Sequence, residues 1–303
     1  KGGDALMWEE WESESRYRGN RYKVNRYEES RYTGGGRSKK RGKRRRRRRR
    51  HRILKSILCI AIIIPMIMAV LWAKDMISGK SSLAVRALFN PKVREVMANK
   101  DQYPEQLIEL LKNNEETVDF VFDYPEKKDT PPADTVGEVV QGQIPLLLQW
   151  DERWGYALYS DDMIAVNGCG PTAIAMVASG LTGDNTITPY KVAQFSAENG
   201  YYAGDSGTSW TLMTDGAQQF GIHGEELGLS EDAVFSALEN GHPIICSMRP
   251  GDFTTTGHFI VLTGVEDGKI RVNDPNSRVR SEKLWDYSRL EYQINNLWVY
   301  TAM

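Results

Sequence analysis

The sequence predicts an α+β domain over residues 144–303, preceded by one transmembrane helix and a disordered basic tail. Three observations carry this reading. Residues 56–73 form an uncharged apolar run between Lys55 and Lys74. "GPTAIAMVASG", directly after Cys169, has a helical pattern. "HFIVLTGVEDGKIRVNDP", from His258 to Pro275, reads as two strands around an Asp267-Gly268 turn. The chain then divides into a basic cytoplasmic tail (1–52), the membrane helix (53–74), a membrane-proximal helical region (75–125), a linker (126–143) and the α+β domain.

The formal net charge of −1 conceals two opposed halves. Residues 1–55 hold 21 Lys/Arg against 7 Asp/Glu, whereas residues 144–303 hold 9 against 20. Such halves are not expected to share surroundings. In the tail, Arg-Tyr recurs every five residues at Arg16, Arg21, Arg26 and Arg31. That period matches neither a helix face nor a strand, so the segment reads as low-complexity and disordered. Fourteen Lys/Arg lie between Arg37 and Lys55. Arginine runs bind phosphate backbones, but this one abuts the apolar run. It therefore reads as a topology signal and a contact for anionic lipid headgroups, at about 1 kcal/mol per charge. No nucleic-acid partner is expected.

Eighteen helical residues rise about 27 Å, close to the roughly 30 Å of a bilayer's hydrocarbon core. Pro65 is tolerated in such a helix, and Trp72 falls where an interfacial anchor is expected. The basic flank then stays cytoplasmic, and everything after Lys74 is expected outside the cell membrane.

Residues 81–123 read as short helices. Asn90-Pro91 is an N-cap followed by a first-turn proline, and "YPEQLIELLKNN" starts similarly at Pro104, with Leu107, Leu110 and Leu111 on one face. Helices this short do not stand alone. They are expected to pack together or on the next domain, as a stalk or as a covering prosegment. "EKKDTPPADTVGEVVQGQ" reads as the linker.

From Ile144 the texture is globular. "IPLLLQW" reads as a strand-like run ending at Gln149, and Gly180 as the stop of the helix after Cys169. His223 falls at a helix-to-loop junction and His242 in a turn before a strand. "GDSGTSWTLMTDGAQQFG" reads as a loop, an N-cap at Ser209 and a helix, with Trp210 in the core or, on a loop, lining the cleft. Cys246, in "PIICSMR", is expected to be buried in a core strand. Cys59, Cys169 and Cys246 make no disulfide framework, and no Cys/His spacing suggests zinc. No metal and no cofactor is expected.

A cysteine at a helix N-terminus is favoured as thiolate, its pKa falling from about 8.5 to roughly 3.5–7.5. Gly168 and Gly170 are expected to clear access to the sulfur, and the Cys169 N–H to face a developing oxyanion. A nucleophilic cysteine also needs a base. His51 belongs to the tail, but His258 opens an apolar strand. The hairpin returns the chain to Asp274, close enough for its carboxylate to orient the imidazole. Each residue alone has a plainer reading as packing or turn. The order Cys, His, Asp, with the last two paired across a hairpin, points to acyl transfer through a thiolate.

"QWDERWG", "NGCGPTAIAMV", "GHFIVLTGV" and "VNDP" together resemble the papain-like cysteine peptidases of family thirty-nine, whose best-known members process bacteriocin leaders. The closest branch is the stand-alone relatives found in Gram-positive bacteria, and the resemblance covers residues 144–300 or so. It implies a papain-like domain, with an N-terminal helix bearing the cysteine and an antiparallel sheet bearing the histidine and aspartate. It implies Cys169 as nucleophile, His258 as base, Asp274 as orienting carboxylate and Gln149 as the oxyanion-hole side chain. Gln149 stands twenty residues before Cys169, a longer gap than in the leader-processing enzymes.

The expected activity is hydrolysis of a peptide or protein substrate by a membrane-anchored, extracellular enzyme that touches membrane lipids through its span and basic run. With the domain outside the cell, leader removal coupled to export is not expected. Two other readings stay open: a cysteine endopeptidase acting on the stem peptides of cell-wall peptidoglycan, and a non-catalytic surface binding module.

Overall fold

The computed structural model describes residues 83–204 and 207–303, together with 53, 55, 57 and 60–67. The chain separates into two units, Lys1–Ala69 and Val70–Met303. In the first, residues 60–67 are helical and exposed. Among the described residues no helix is long and apolar enough to cross a membrane. The basic tail (1–52) lies outside the described residues, and so does half of the run read as a membrane helix (53–74).

The described part of the second unit opens with four short helices: α1 (Leu83–Phe89), α2 (Pro91–Ala98), α3 (Glu105–Asn113) and α4 (Val118–Lys127). The predicted cap is in place. The Asn90 side chain accepts from the N–H groups of Lys92 and Val93 at 3.0 and 3.3 Å, just ahead of Pro91. α3 buries Leu107 and Leu111, with Leu110 partly covered. These side chains share one core with Val93, Val96, Phe120 and Val121, and with Leu148, Trp150, Tyr156, Met163 and Ala165 further along the chain. The Phe120 and Tyr156 rings stack with centroids 4.2 Å apart, and the Tyr156 hydroxyl donates to the Phe120 carbonyl at 2.8 Å. Burial of Leu107, Leu111, Phe120 and Val121 contributes on the order of 10 kcal/mol. The helices are thus packed into the body that follows, which is not how a loose stalk behaves. α4 runs through Pro125 to Lys127 and takes the first residues of the expected linker, and Val136 within that linker is buried.

A small hairpin of β1 (Leu158–Tyr159) and β2 (Asp162–Met163) leads into α5 (Ile164–Asn167), α6 (Cys169–Thr182) and α7 (Pro189–Glu198). α6 is apolar on all sides and buried from Gly170 to Gly180. It does not stop at Gly180. It ends at Gly183, whose left-handed backbone (φ 78°) lets its N–H donate to the Ser179 carbonyl at 2.9 Å. Gly180 serves close packing instead, since a Cβ there would lie 2.6 Å from Ile144 Cδ1 and 2.8 Å from the Gln143 carbonyl. Nor do residues 144–149 form a strand. Leu147 turns into the core under α6 and Leu148 into the core of the first four helices.

Beyond α7 come β3 (Ile222–Glu226), α8 (Glu231–Glu239), β4 (Ile244–Met248), β5 (His258–Glu266) and β6 (Lys269–Asn273). They are followed by α9 (Arg278–Ser281), β7 (Leu284–Trp285), α10 (Tyr287–Leu290) and β8 (Ile294–Ala302). The six strands form one antiparallel sheet in the order β3-β8-β4-β5-β6-β7. The β5–β6 turn runs through Asp267 and Gly268, both left-handed (φ 51° and 70°), as a two-residue hairpin turn requires. One face presents Ile245, Phe259, Val261, Trp298 and Tyr300 to α6 and α7. The other presents Ile244, Cys246, Met248, Ile260 and Leu262 to α8 and α10.

Two further expectations are corrected here. His223 lies exposed on β3, because the chain after Phe220 turns directly into sheet pairing with β8. The stretch after Ser209 forms two 3₁₀ turns, Trp210–Leu212 and Gly216–Phe220, in place of a helix. Ser209 does cap the first, accepting from the Thr211 N–H at 3.3 Å. Trp210 is 42% exposed, set edge-on to the buried Trp298 with centroids 5.5 Å apart.

Candidate active site

Cys169 is the first residue of α6 and is half-buried. His258 is the first residue of β5 and Asp274 follows the last of β6; both are buried. In the hairpin Val261 pairs with Asn273, which places Asp274 diagonal to His258 and within its reach. His258 Nε2 and Asp274 Oδ1 lie 2.8 Å apart. That nitrogen is committed to the carboxylate, so Nδ1 is left for the Cys169 sulfur, to which the imidazole is hydrogen-bonded.

The electrostatics follow from these contacts. Burial alone raises the Cys169 pKa. The His258 hydrogen bond and charge, with the N–H groups of Phe259 and Gly170, outweigh it and hold the thiol below its ordinary value. Burial alone lowers His258, but the charge and hydrogen bond of Asp274, helped by Cys169, carry it up to about 9. Asp274 is itself raised by burial and brought back below the usual carboxylate range by His258 and Arg280. Both shifts run in the direction of a thiolate facing an imidazolium. Cys246, wholly enclosed on β4, shows the contrast: burial with no such partner pushes its thiol up.

Asp274 has more partners than the sequence indicated. Its Oδ1 also accepts from the Asn276 N–H at 2.8 Å, and its Oδ2 accepts from the Arg280 guanidinium on α9. Its own N–H donates to the Ser281 hydroxyl at 2.9 Å. A cation six residues after Asp274 was the only sequence signal for Arg280, and "NSRVRS" names no partner for it.

Two expectations about the surroundings change. Gly168 and Gly170 do not open the sulfur to substrate; they let the chain pack on itself. A Cβ at Gly168 would lie 2.5 Å from the Ile164 carbonyl oxygen, and one at Gly170 would lie 2.6 Å from Thr208 Oγ1. Gln149 is buried, and its Nε2 donates to the carbonyls of Ala165 and Val166 at 2.8 and 3.2 Å. Its Oε1 is buried without a partner among the described residues. The amide must turn before it can donate to an oxyanion. Among the described residues no group of three or more His, Cys, Asp or Glu is placed to hold a metal ion.

The Peptidase_C39-like family matches residues 141–303, just over half of the chain. The chain belongs to that family. As a C39-like chain it is a cysteine peptidase, and its mixed helix-and-sheet body is the family's catalytic domain with further helices ahead of it. No curated protein matches the sequence. Among solved structures, the peptidase domain of Streptococcus ComA, a bi-functional ABC transporter involved in quorum sensing, is similar at 18% identity and a TM-score of 0.36. That match covers 45% of this chain and 93% of the other. A double glycine motif protease from an AMS/PCAT transporter, in complex with its leader peptide, is similar at 14% identity and a TM-score of 0.35. It covers 54% and 94% respectively.

Proposed function

We propose that this C39-like chain is a membrane-anchored, extracellular cysteine peptidase that cleaves peptide or protein substrates through Cys169, His258 and Asp274 in a papain-like arrangement. The observation that carries the triad is the buried 2.8 Å contact of His258 with Asp274, with the half-buried Cys169 thiol as the imidazole's other partner. The thiolate attacks the scissile carbonyl carbon, and the π electrons move onto the carbonyl oxygen. His258 delivers its proton to the departing amine, leaving a thioester on Cys169. A water molecule, giving a proton back to His258, then attacks the thioester and frees the acid. The Cys169 N–H, at the first position of α6 where helical donors have no internal acceptor, is the oxyanion donor in this reading. The anchor and the outside location rest on the apolar run 56–73 and the basic run before it.

The test joins chemistry and place. On intact cells, a membrane-impermeant thiol-directed electrophile is expected to label the parent chain, with Cys169→Ala removing the label. A comparison of protein N-termini between parent and Cys169→Ala cells is expected to show cleavage products in the parent alone. Equal labelling of the variant rejects Cys169 as nucleophile. Labelling that needs broken cells rejects the outside location.

A further inference from the structure

The loop that carries Asp274 is held from outside the family's matched region. Asn114 and Glu116 lie between α3 and α4, more than twenty residues before residue 141. The Asn114 side-chain amide donates to the Asn276 carbonyl at 2.6 Å and to the Asn276 side-chain oxygen at 3.0 Å. Glu116 accepts from the Ser277 hydroxyl through Oε1, and through Oε2 from the N–H groups of Arg278 and Val279 at 2.7 and 3.4 Å. The Ser277 hydroxyl in turn accepts from the Arg280 N–H at 3.1 Å.

These contacts lead straight to the site. Asp274 is wholly buried, and a buried carboxylate stays ionised only while its donors stay in place. Of its three side-chain donors, the Asn276 N–H and the Arg280 guanidinium both ride on residues 276–280. α9 is four residues long, too short to hold its own shape. Glu116 holds it across its first turn, with Asn114 and the Trp150 indole N–H converging on the Asn276 carbonyl, while the Trp285 indole N–H donates to the Arg280 carbonyl at its far end.

We propose that Glu116 and Asn114 are positioning residues for the Asp274–His258 pair, making the helical segment 83–127 a working part of the active site. This rests on the catalytic role proposed for Cys169, His258 and Asp274. Releasing the loop weakens the donors on Asp274, which lowers its hold on the imidazolium and so raises the Cys169 thiol. A mere structural tether would alter stability and leave the thiol's titration alone.

The experiment follows alkylation of Cys169 by iodoacetamide as a function of pH, read by mass spectrometry on the Cys169 peptide of the full chain. The parent is expected to titrate below an ordinary thiol. Glu116→Ala and Asn114→Ala are expected to move the midpoint up by about one pH unit, slowing alkylation about tenfold at pH values more than about one unit below the parent's midpoint. Glu116→Gln keeps one acceptor without the charge and is expected to slow it about threefold. Parental profiles in folded Glu116→Ala and Asn114→Ala overturn the inference. If those variants do not fold, a parental profile in Glu116→Gln overturns it. A parent that titrates as an ordinary thiol, or cleavage that survives Cys169→Ala, overturns the catalytic reading instead.

Discussion

Replacing Asp274 with asparagine changes one atom's chemistry, and the geometry sets how much that costs. Oδ1 accepts from His258 Nε2 and the Asn276 N–H, and Oδ2 accepts from Arg280. An asparagine has one oxygen, so whichever way its amide turns, an NH₂ group faces a donor. A buried donor left without an acceptor costs about 1–3 kcal/mol, and the partly exposed Arg280 loses its counter-charge as well. A total near 3 kcal/mol corresponds to a fall in Tm of about 6–12 °C for a body of this size. The catalytic effect is larger. Without the carboxylate's charge His258 falls from about 9 to 6.5 or lower. At pH 8 the imidazolium share then drops from about nine-tenths to about three-hundredths, roughly 30-fold. The assay is the pH dependence of Cys169 alkylation and of peptide cleavage, with Tm from calorimetry. An Asp274→Asn chain that keeps an alkaline limb near 9 and melts within 1–2 °C or so of the parent would refute the reasoning.

Three other outcomes are expected. The pH–rate profile should fall on its alkaline side near 9, where His258 loses its proton. His258 is raised above its unfolded value of about 6.5, so its stabilisation is complete below 6.5 and fades as pH rises through about 9. Melting at several pH values should show that decline in the parent and lose it in Asp274→Asn. Gly170→Ala should cost about 1–3 kcal/mol in chemical denaturation, because the new methyl lands on Thr208 Cβ and Oγ1. Parental stability there would show that Thr208 yields freely.

What could be read from the sequence was local. Asn90-Pro91 carries its own cap and Asp267-Gly268 its own turn, which brings the two ends of the hairpin into the same region. The turn does not set the face: a bulge between Leu262 and Gly264 shifts the register by one residue and so puts Asp274 on the same face as His258. The misreadings came from residues whose meaning lies in a distant neighbour. Gly180 has the composition of a helix stop, yet it is glycine because residues 143–144 cross the helix there. "IPLLL" has the composition of a strand, yet Leu147 and Leu148 serve two different cores and need no sheet. Gly168 and Gly170 were read as openings toward a substrate when their neighbours are Ile164 and Thr208. Glu116 and Ser277 are separated by 161 residues, and no periodicity or motif links positions that far apart.

The strand order has a consequence for when this peptidase acquires its activity. β8, the last strand in chain order, inserts between β3 and β4 and pairs with both. During synthesis, the sheet under α6 therefore has a central gap until residues 294–302 have left the ribosome. Cys169, His258 and Asp274 are all made before then. A nascent chain thus holds the three residues proposed to be catalytic before the sheet on which α6 packs is complete.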